Sequence, residues 1–189
     1  MAAFRGSLAV IEGQHDVPVA VVGSGGFGTC LADLLARNGL EVRLWCRQPD
    51  YAQTLQNTRE NTKYLPGVKL PLNVWITSSL QDAVQDAEVV VCAVPSQAMR
   101  QTALDFKPYL TKGAKVLNVA KGIEHSTYMR MSEVLTDVLG TNVPIASLSG
   151  PNHAEEISRG MPTATVIASK SPSALNLLCD VFTTDWFKA

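Results

Sequence analysis

Gly23, Gly25 and Gly28 form a G-x-G-x-x-G run inside "VAVVGSGGFGTCLADLLARNG", between the apolar Val19–Val22 and a stretch with helical spacing. Glycines so spaced can hold a phosphate. The first lets the chain turn sharply, the second lets the backbone approach a diphosphate, and the third lets helix and strand pack closely, with the helix's first amides facing the anion. Glycine loses more conformational entropy on folding than other residues, so with Gly26 the cluster marks a demand for backbone space or unusual angles. A strand before and a helix after are the context of a dinucleotide-binding fingerprint, although a purely structural β–α turn would use some of the same glycines.

Further residues with chemical potential lie at the ends of other apolar runs. Arg47, in "EVRLWCRQPD", stands where an NAD site usually has an acid for the ribose 2′-hydroxyl. A guanidinium can take a 2′-phosphate through paired hydrogen bonds, which favours NADPH over NADH; an exposed turn arginine is the plain alternative. "VVVCAVPSQ" ends at Pro95 and Ser96, "VLNVAKG" at Lys121, and "IASLSGPNHAEEI" at Ser149 and Gly150. Ligands of open α/β sheets bind outside the carboxyl ends of the strands, so these segments and the glycine loop are expected to meet at one crevice. Lys121 could reach an anionic or carbonyl substrate, though a solvated loop lysine would look the same. "SGPNHAEE" has the pattern of a helix start, capped by Ser149 or Gly150, with Pro151 in the first turn and Glu155 and Glu156 behind it. Asn152 and His153 are not explained by capping and favour a functional role.

The elements that must position these residues follow from hydrophobic pattern. Runs rich in Val, Ile and Ala recur at Val19–Val22, Val42–Cys46, Val74–Thr77, Val89–Val94, Val116–Ala120, Val143–Leu148 and Ala164–Ala168. Most are apolar throughout, as in strands covered on both faces. Helical spacing appears between them, as in Leu31, Leu34 and Leu35, and again in Met131, Val134, Leu135 and Val138. The expected fold is α/β and Rossmann-type: a doubly wound, mostly parallel sheet with helices on both faces. Gly39 and Gly140 follow two of the helices, where a left-handed residue commonly ends them. Residues 1–16 carry too weak a pattern for a secretory signal and are expected to be a loose extension; residues 17–189 form the domain.

Composition removes several functional classes. A chain of 189 residues, 46% hydrophobic, can bury one sizeable core. Its net charge of −1 and lack of a basic run give no footprint for nucleic acid or an anionic membrane. The longest apolar run, Val89–Val94, is far short of the about 20 residues that a membrane span needs. Cys30, Cys46, Cys92 and Cys179 form no CxxC pair and read as reduced thiols of a cytoplasmic protein. With His15, His125 and His153 equally scattered, no metal site is expected.

Six segments in order, "GSGGFGT", "LWCR", "NTKYLPGVKLP" from Asn61, "AVPSQ", "KGIEHST" from Lys121 and "LSGPNHAEEISRGMPTA" from Leu148, carry a resemblance. Together they resemble the amino-terminal domain of the bacterial-type NAD(P)-dependent glycerol-3-phosphate dehydrogenases, over nearly the whole chain. Related β-hydroxyacid dehydrogenases share the glycine loop but are not expected to combine "YLPG" with "SGPNHAEE". The resemblance implies reversible hydride transfer between NAD(P)H and dihydroxyacetone phosphate, giving sn-glycerol 3-phosphate for phospholipid synthesis. It implies that Gly26, Phe27 and Arg47 contact the cofactor, with Ala154 near its nicotinamide end. Lys121 would touch cofactor and substrate, and Gly150 and Asn152 would line the substrate side. Relatives often have Ser or Thr in place of Asn152 and Tyr or Trp in place of Phe27.

Members of that family add a mainly helical domain whose first helix supplies a general-acid lysine followed by Asn. Lys170 and Lys188 are followed by Ser171 and Ala189 instead, and the chain stops at "TTDWFKA". The resemblance therefore implies the cofactor-binding half of such an enzyme, without a catalytic general acid and inactive alone. It would act on a small-molecule substrate in the cytoplasm, and a homodimer is allowed for the full-length enzyme. A catalytically silent NADPH-binding module is the second reading.

Overall fold

The computed structural model describes residues 17–189; the expected 1–16 extension lies outside the described residues. The chain opens with strand β1 (Val19–Val22), helix α1 (Gly26–Arg37), β2 (Val42–Trp45), α2 (Pro49–Thr58) and β3 (Val74–Thr77). It continues through α3 (Leu80–Val84), β4 (Val89–Cys92), α4 (Met99–Phe106), β5 (Lys115–Asn118), α5 (Met131–Leu139) and β6 (Ile145–Ser149). The last elements are α6 (Ala154–Ser158), β7 (Thr163–Ala164), β8 (Val166–Ser169), α7 (Pro172–Phe182) and β9 (Phe187–Lys188). Seven strands make one sheet in the order β3-β2-β1-β4-β5-β6-β8, and β7 pairs with β9 apart from it.

Strands β1 to β6 all run parallel. β8 runs antiparallel to β6, because the chain re-enters the sheet with Val166 opposite Ser149, at the carboxyl end of β6, and can only run back. The expected run Ala164–Ala168 thus divides at Thr165 into two strands that join different sheets.

Continuous apolar strands are explained by burial on both faces. Val19 and Val21 of β1 join one core with Leu31, Leu34 and Leu35 of α1 and Leu178 and Phe182 of α7. Ala20 and Val22 join the other, with Met99 and Phe106 of α4 and Val134 and Leu135 of α5. Alternate side chains of one strand enter opposite layers, so each must be apolar.

Helix α1 ends as its sequence indicates. Gly39 takes φ +89, its amide donates to the Ala36 carbonyl at 3.0 Å, and the Leu40 amide donates to Leu35 at 3.2 Å. This closes the last turn in a Schellman arrangement over the buried Leu35 and Leu40. Gly140 differs from expectation: its φ is +101 but its ψ is 159, so the chain leaves α5 in an extended rather than a left-handed helical conformation. The four thiols are unpaired; Cys30, Cys46 and Cys92 are buried, and burial pushes Cys30 and Cys92 up to about 12.

Asp33 departs from the apolar pattern of α1. It is only 1% exposed and accepts a hydrogen bond from Arg37 Nε at 2.9 Å. Burial raises its pKa, and the Arg37 contact only partly opposes this. A raised folded-state value means that the folded chain holds the proton more tightly than the unfolded chain does. Stability therefore falls as pH rises from the ordinary Asp value of about 3.9 through the raised one. Asp33→Asn should flatten that part of the stability profile and leave neutral-pH stability equal or higher, measured by urea melts between pH 4 and 7. A clear loss at pH 7 would make the ion pair a net stabiliser.

Candidate functional site

The glycines do different jobs. Gly23 takes φ +121, and a Cβ there would lie 2.6 Å from the Ala93 carbonyl oxygen. On Gly28 a Cβ would lie 2.0 Å from the Gly23 carbonyl oxygen, so α1 seats against the end of β1 at a distance no side chain permits. On Gly26 it would lie 2.6 Å from the Tyr64 carbonyl oxygen. Gly25 has none of these constraints: its φ is −68, and no atom lies within 4 Å of an added Cβ.

Above this loop is a crevice of about 540 Å³. From β1 the chain winds outward to β2 and β3, then crosses back to β4 on the other side of β1, so the crevice opens where the strand order reverses. Of the sequence-predicted residues, Gly23, Gly25, Phe27, Arg47, Pro95 and Lys121 line it. Gly26 and Gly28 do not line it; they make room for the Tyr64 and Gly23 carbonyls. Arg47 is exposed, just past β2, with no ion pair among the described residues.

Lys121 joins this crevice to the next. Its Nζ donates to the Gly150 carbonyl at 3.0 Å, and it also lines a larger, open crevice of about 1260 Å³ over β6 and β8. The approach to Lys121 is fixed by Asn118, whose side chain accepts from the Ala120 amide at 3.0 Å and donates to its carbonyl at 3.1 Å. Beyond it, Glu124 is held by Arg100 of α4 through two bonds, of 2.9 and 3.0 Å. Arg100 also reaches Asp137 of α5 at 2.6 Å. The Arg100 guanidinium, with Thr127, holds the Glu124 carboxyl below the usual carboxylate range.

Besides Gly26 and Gly28, three more predicted residues, Gly150, Asn152 and Ala154, do not line the first crevice. The Gly150 carbonyl is bonded to Lys121, which does line it. The Asn152 Nδ2 donates to Thr165 Oγ1 at 2.9 Å, while its Oδ1 is buried without a hydrogen-bond partner among the described residues. Ala154 begins α6, which packs on α1. The "SGPNHAEE" helix also starts later than its pattern indicates. Ser149 is still paired with Val166 in the sheet, so Pro151 lies outside the helix and His153 occupies the cap position, with Glu155 and Glu156 in the first turn.

Sequence reasoning missed Tyr51 and Tyr64, which also line the crevice. Their rings stand edge to face with centroids 6.4 Å apart, and Lys63 Nζ lies 4.8 Å from the Tyr64 ring centroid. The available signal was "NTKYLPG", an aromatic next to Pro and Gly in a segment with no element of its own.

Residues 18–175 match the family model described as NAD-dependent glycerol-3-phosphate dehydrogenase N-terminus. The chain belongs to this family. It is 47% identical over 172 residues to the glycerol-3-phosphate dehydrogenase [NAD(P)+] of Chlorobium phaeobacteroides, covering 90% of this chain and 52% of that protein. Against the protein of the same name from Moorella thermoacetica it is 46% identical over 170 residues, covering 90% of this chain and 50% of that one. The crystal structure of glycerol-3-phosphate dehydrogenase from Coxiella burnetii superposes with a TM-score of 0.86 at 30% identity, over 91% of this chain and 52% of the other. The chain thus spans about half the length of the relatives it matches, and its fold is the Rossmann-like α/β fold of glycerol-3-phosphate dehydrogenase structures. Among the described residues no helix is long and apolar enough to cross a membrane, and no cluster of His, Cys, Asp and Glu could hold a metal.

For this family domain the glycine geometry separates folding from ligand access. Gly28→Ala should cost about 2–3 kcal/mol or prevent folding, since its Cβ meets backbone. Gly25→Ala should cost no more than about 1 kcal/mol, the loss of a preferred N-cap residue with no backbone clash. Thermal melts followed by circular dichroism check both, and equal losses would contradict the assignment.

Proposed function

We propose that this chain is the cofactor-binding half of an NAD(P)H-dependent sn-glycerol-3-phosphate dehydrogenase, with NADPH seated in the 540 Å³ crevice. One observation carries the reading. Every other glycine of the loop answers a backbone demand of the folded chain, whereas Gly25 answers none, having an ordinary φ and open space over its Cα. Its place as N-cap of α1 prefers Gly to Ala but does not exclude side chains such as Ser or Asn, so a bare Cα facing the crevice is accounted for by close approach of a diphosphate. The residues present suit NADPH: the first amides of α1 for the diphosphate and, at Arg47, a guanidinium with no ion pair among the described residues for the 2′-phosphate.

When bound, NADPH supplies the hydride. The protein's part is positioning and charge. Lys121, shared by both crevices, would exchange its bond to the Gly150 carbonyl for the substrate oxygen, where negative charge develops as dihydroxyacetone phosphate is reduced. Gly150 and Asn152 would line the substrate side, the unpartnered Asn152 Oδ1 being free to accept a substrate hydroxyl. Ala154 would lie toward the nicotinamide end. A general acid would come from the half of the relatives' length that this chain does not span, so the chain alone should bind cofactor without turnover. Four free thiols fit a reducing, cytoplasmic location.

Calorimetric titration of the 189-residue chain with NADPH and NADH tests this reading, which fails if a folded chain binds neither. Gly25→Val should fold yet lose NADPH. Arg47→Ala should weaken NADPH by about 1.5–3 kcal/mol, the worth of a hydrogen bond to a charged group, and NADH far less. Equal weakening would release Arg47 from reading the 2′-phosphate. NADPH oxidation by this chain dependent on dihydroxyacetone phosphate would show that no further general acid is needed.

A further inference from the structure

Asn61 opens the "NTKYLPG" stretch and is wholly buried. Its carboxamide uses all four of its hydrogen-bonding positions. Nδ2 donates to the Ser24 carbonyl at 2.8 Å and to Thr29 Oγ1 at 2.7 Å. Oδ1 accepts from the Tyr51 hydroxyl at 2.6 Å and from the Tyr64 amide at 3.1 Å. One side chain therefore joins the glycine loop, α1, α2 and the 61–65 segment. Only a carboxamide of this length fits, because Asp lacks donors and Gln is longer by a methylene.

The bond to Ser24 has a consequence one atom further on. The Ser24 carbonyl and the Gly25 N–H belong to one planar trans peptide unit and point in opposite directions. Drawing the carbonyl to Asn61 turns the Gly25 N–H away from the 61–65 segment, and Gly25 lines the crevice. If that peptide flipped, a carbonyl oxygen would replace a donor, and a carbonyl repels an anion. The Tyr64 carbonyl lies over Gly26, 2.6 Å from where a Cβ would be, so Gly26 admits the segment that carries Asn61.

We propose that Asn61 is a positioning residue that locks the Ser24–Gly25 peptide in the orientation that accepts a dinucleotide's diphosphate. Gly26, on this view, serves the lock and not the ligand. The inference deepens the NADPH reading and rests on it.

The test is a nuclear magnetic resonance titration of the chain with NADPH, following the Gly25 and Arg47 amides in the parent and in Asn61→Asp. The substitution keeps the shape and removes both donors. In the parent both amides should shift, Gly25 downfield as its proton meets the anion. In Asn61→Asp the Kd should rise at least fivefold; at saturation Arg47 should keep its shift while Gly25 loses its downfield move. General loosening of the fold would instead diminish both together. A smaller rise, or a retained Gly25 shift, overturns the proposal. If Asn61→Asp does not fold, Thr29→Val replaces it, removing at a buried position that cannot touch ligand the hydroxyl that accepts from Asn61 and itself donates to the Ser24 carbonyl at 3.4 Å. It is judged by loss of the same Gly25 shift. A parent in which Arg47 shifts and Gly25 does not overturns the lock alone; a parent that shifts at neither overturns the cofactor reading and the lock with it.

Discussion

The seating of α1 against the end of β1 is the contact on which the rest of the molecule depends. A Cβ on Gly28 would be 2.0 Å from the Gly23 carbonyl oxygen, so the helix lies as close to the strand as a backbone can. That distance lets Leu31, Leu34 and Leu35 reach the core beneath the sheet, where Val19 and Val21 meet them. It also sets the first amides of the helix at the mouth of the crevice. One close contact thus determines core packing and the position of the helix's first amides together.

Double winding turns this local seat into a site. β2 lies on one side of β1 and β4 then β5 on the other, so the ends of β2 and β5 stand three strand spacings apart, about 14 Å. Arg47 follows the first end and Lys121 the second, a separation suited to a ligand with an anionic group at one end and its reactive ring at the other. The Lys121 segment has little regular structure, and its rigidity comes from the Arg100 clamp on Glu124 and the Asn118 bonds to Ala120. Charge placement at the second end therefore depends on α4, an element with no place in the glycine fingerprint.

Much of this was legible in order along the chain. β1 and β4 appeared as continuous apolar runs because every residue of each is buried, whereas β2, β3, β5 and β6, less fully covered, admit Arg43, the exposed Trp75, Lys115 and Ser147 into runs that are still mostly apolar. The Gly39 helix end was legible for a similar reason, since its φ of +89 admits few other residues. Gly140 was less so: glycine permits several conformations, and its identity does not say which one is used. The late start of α6 was hidden because the cap pattern in "SGPNHAEE" is local, while the pairing of Ser149 with Val166, which delays the helix, joins residues 17 apart.

The sequence by itself determined the parallel sheet, the glycine loop and the meeting of the Pro95 and Lys121 strand ends with that loop, because periodicity and strand-end position are properties of neighbouring residues; Ser149 and Gly150, expected at the same crevice, do not line it. Tertiary structure alone decided which glycines serve the backbone and which leaves room for a ligand, since that depends on the carbonyls of Ala93, Gly23 and Tyr64 coming near from elsewhere in the chain. It alone revealed Asn61 as a buried hub with partners up to 37 residues away. An asparagine in a turn-rich stretch looks like any surface residue until folding surrounds it. Hydrogen bonding across distant segments leaves no period in the sequence, whereas apolar burial on a regular element does.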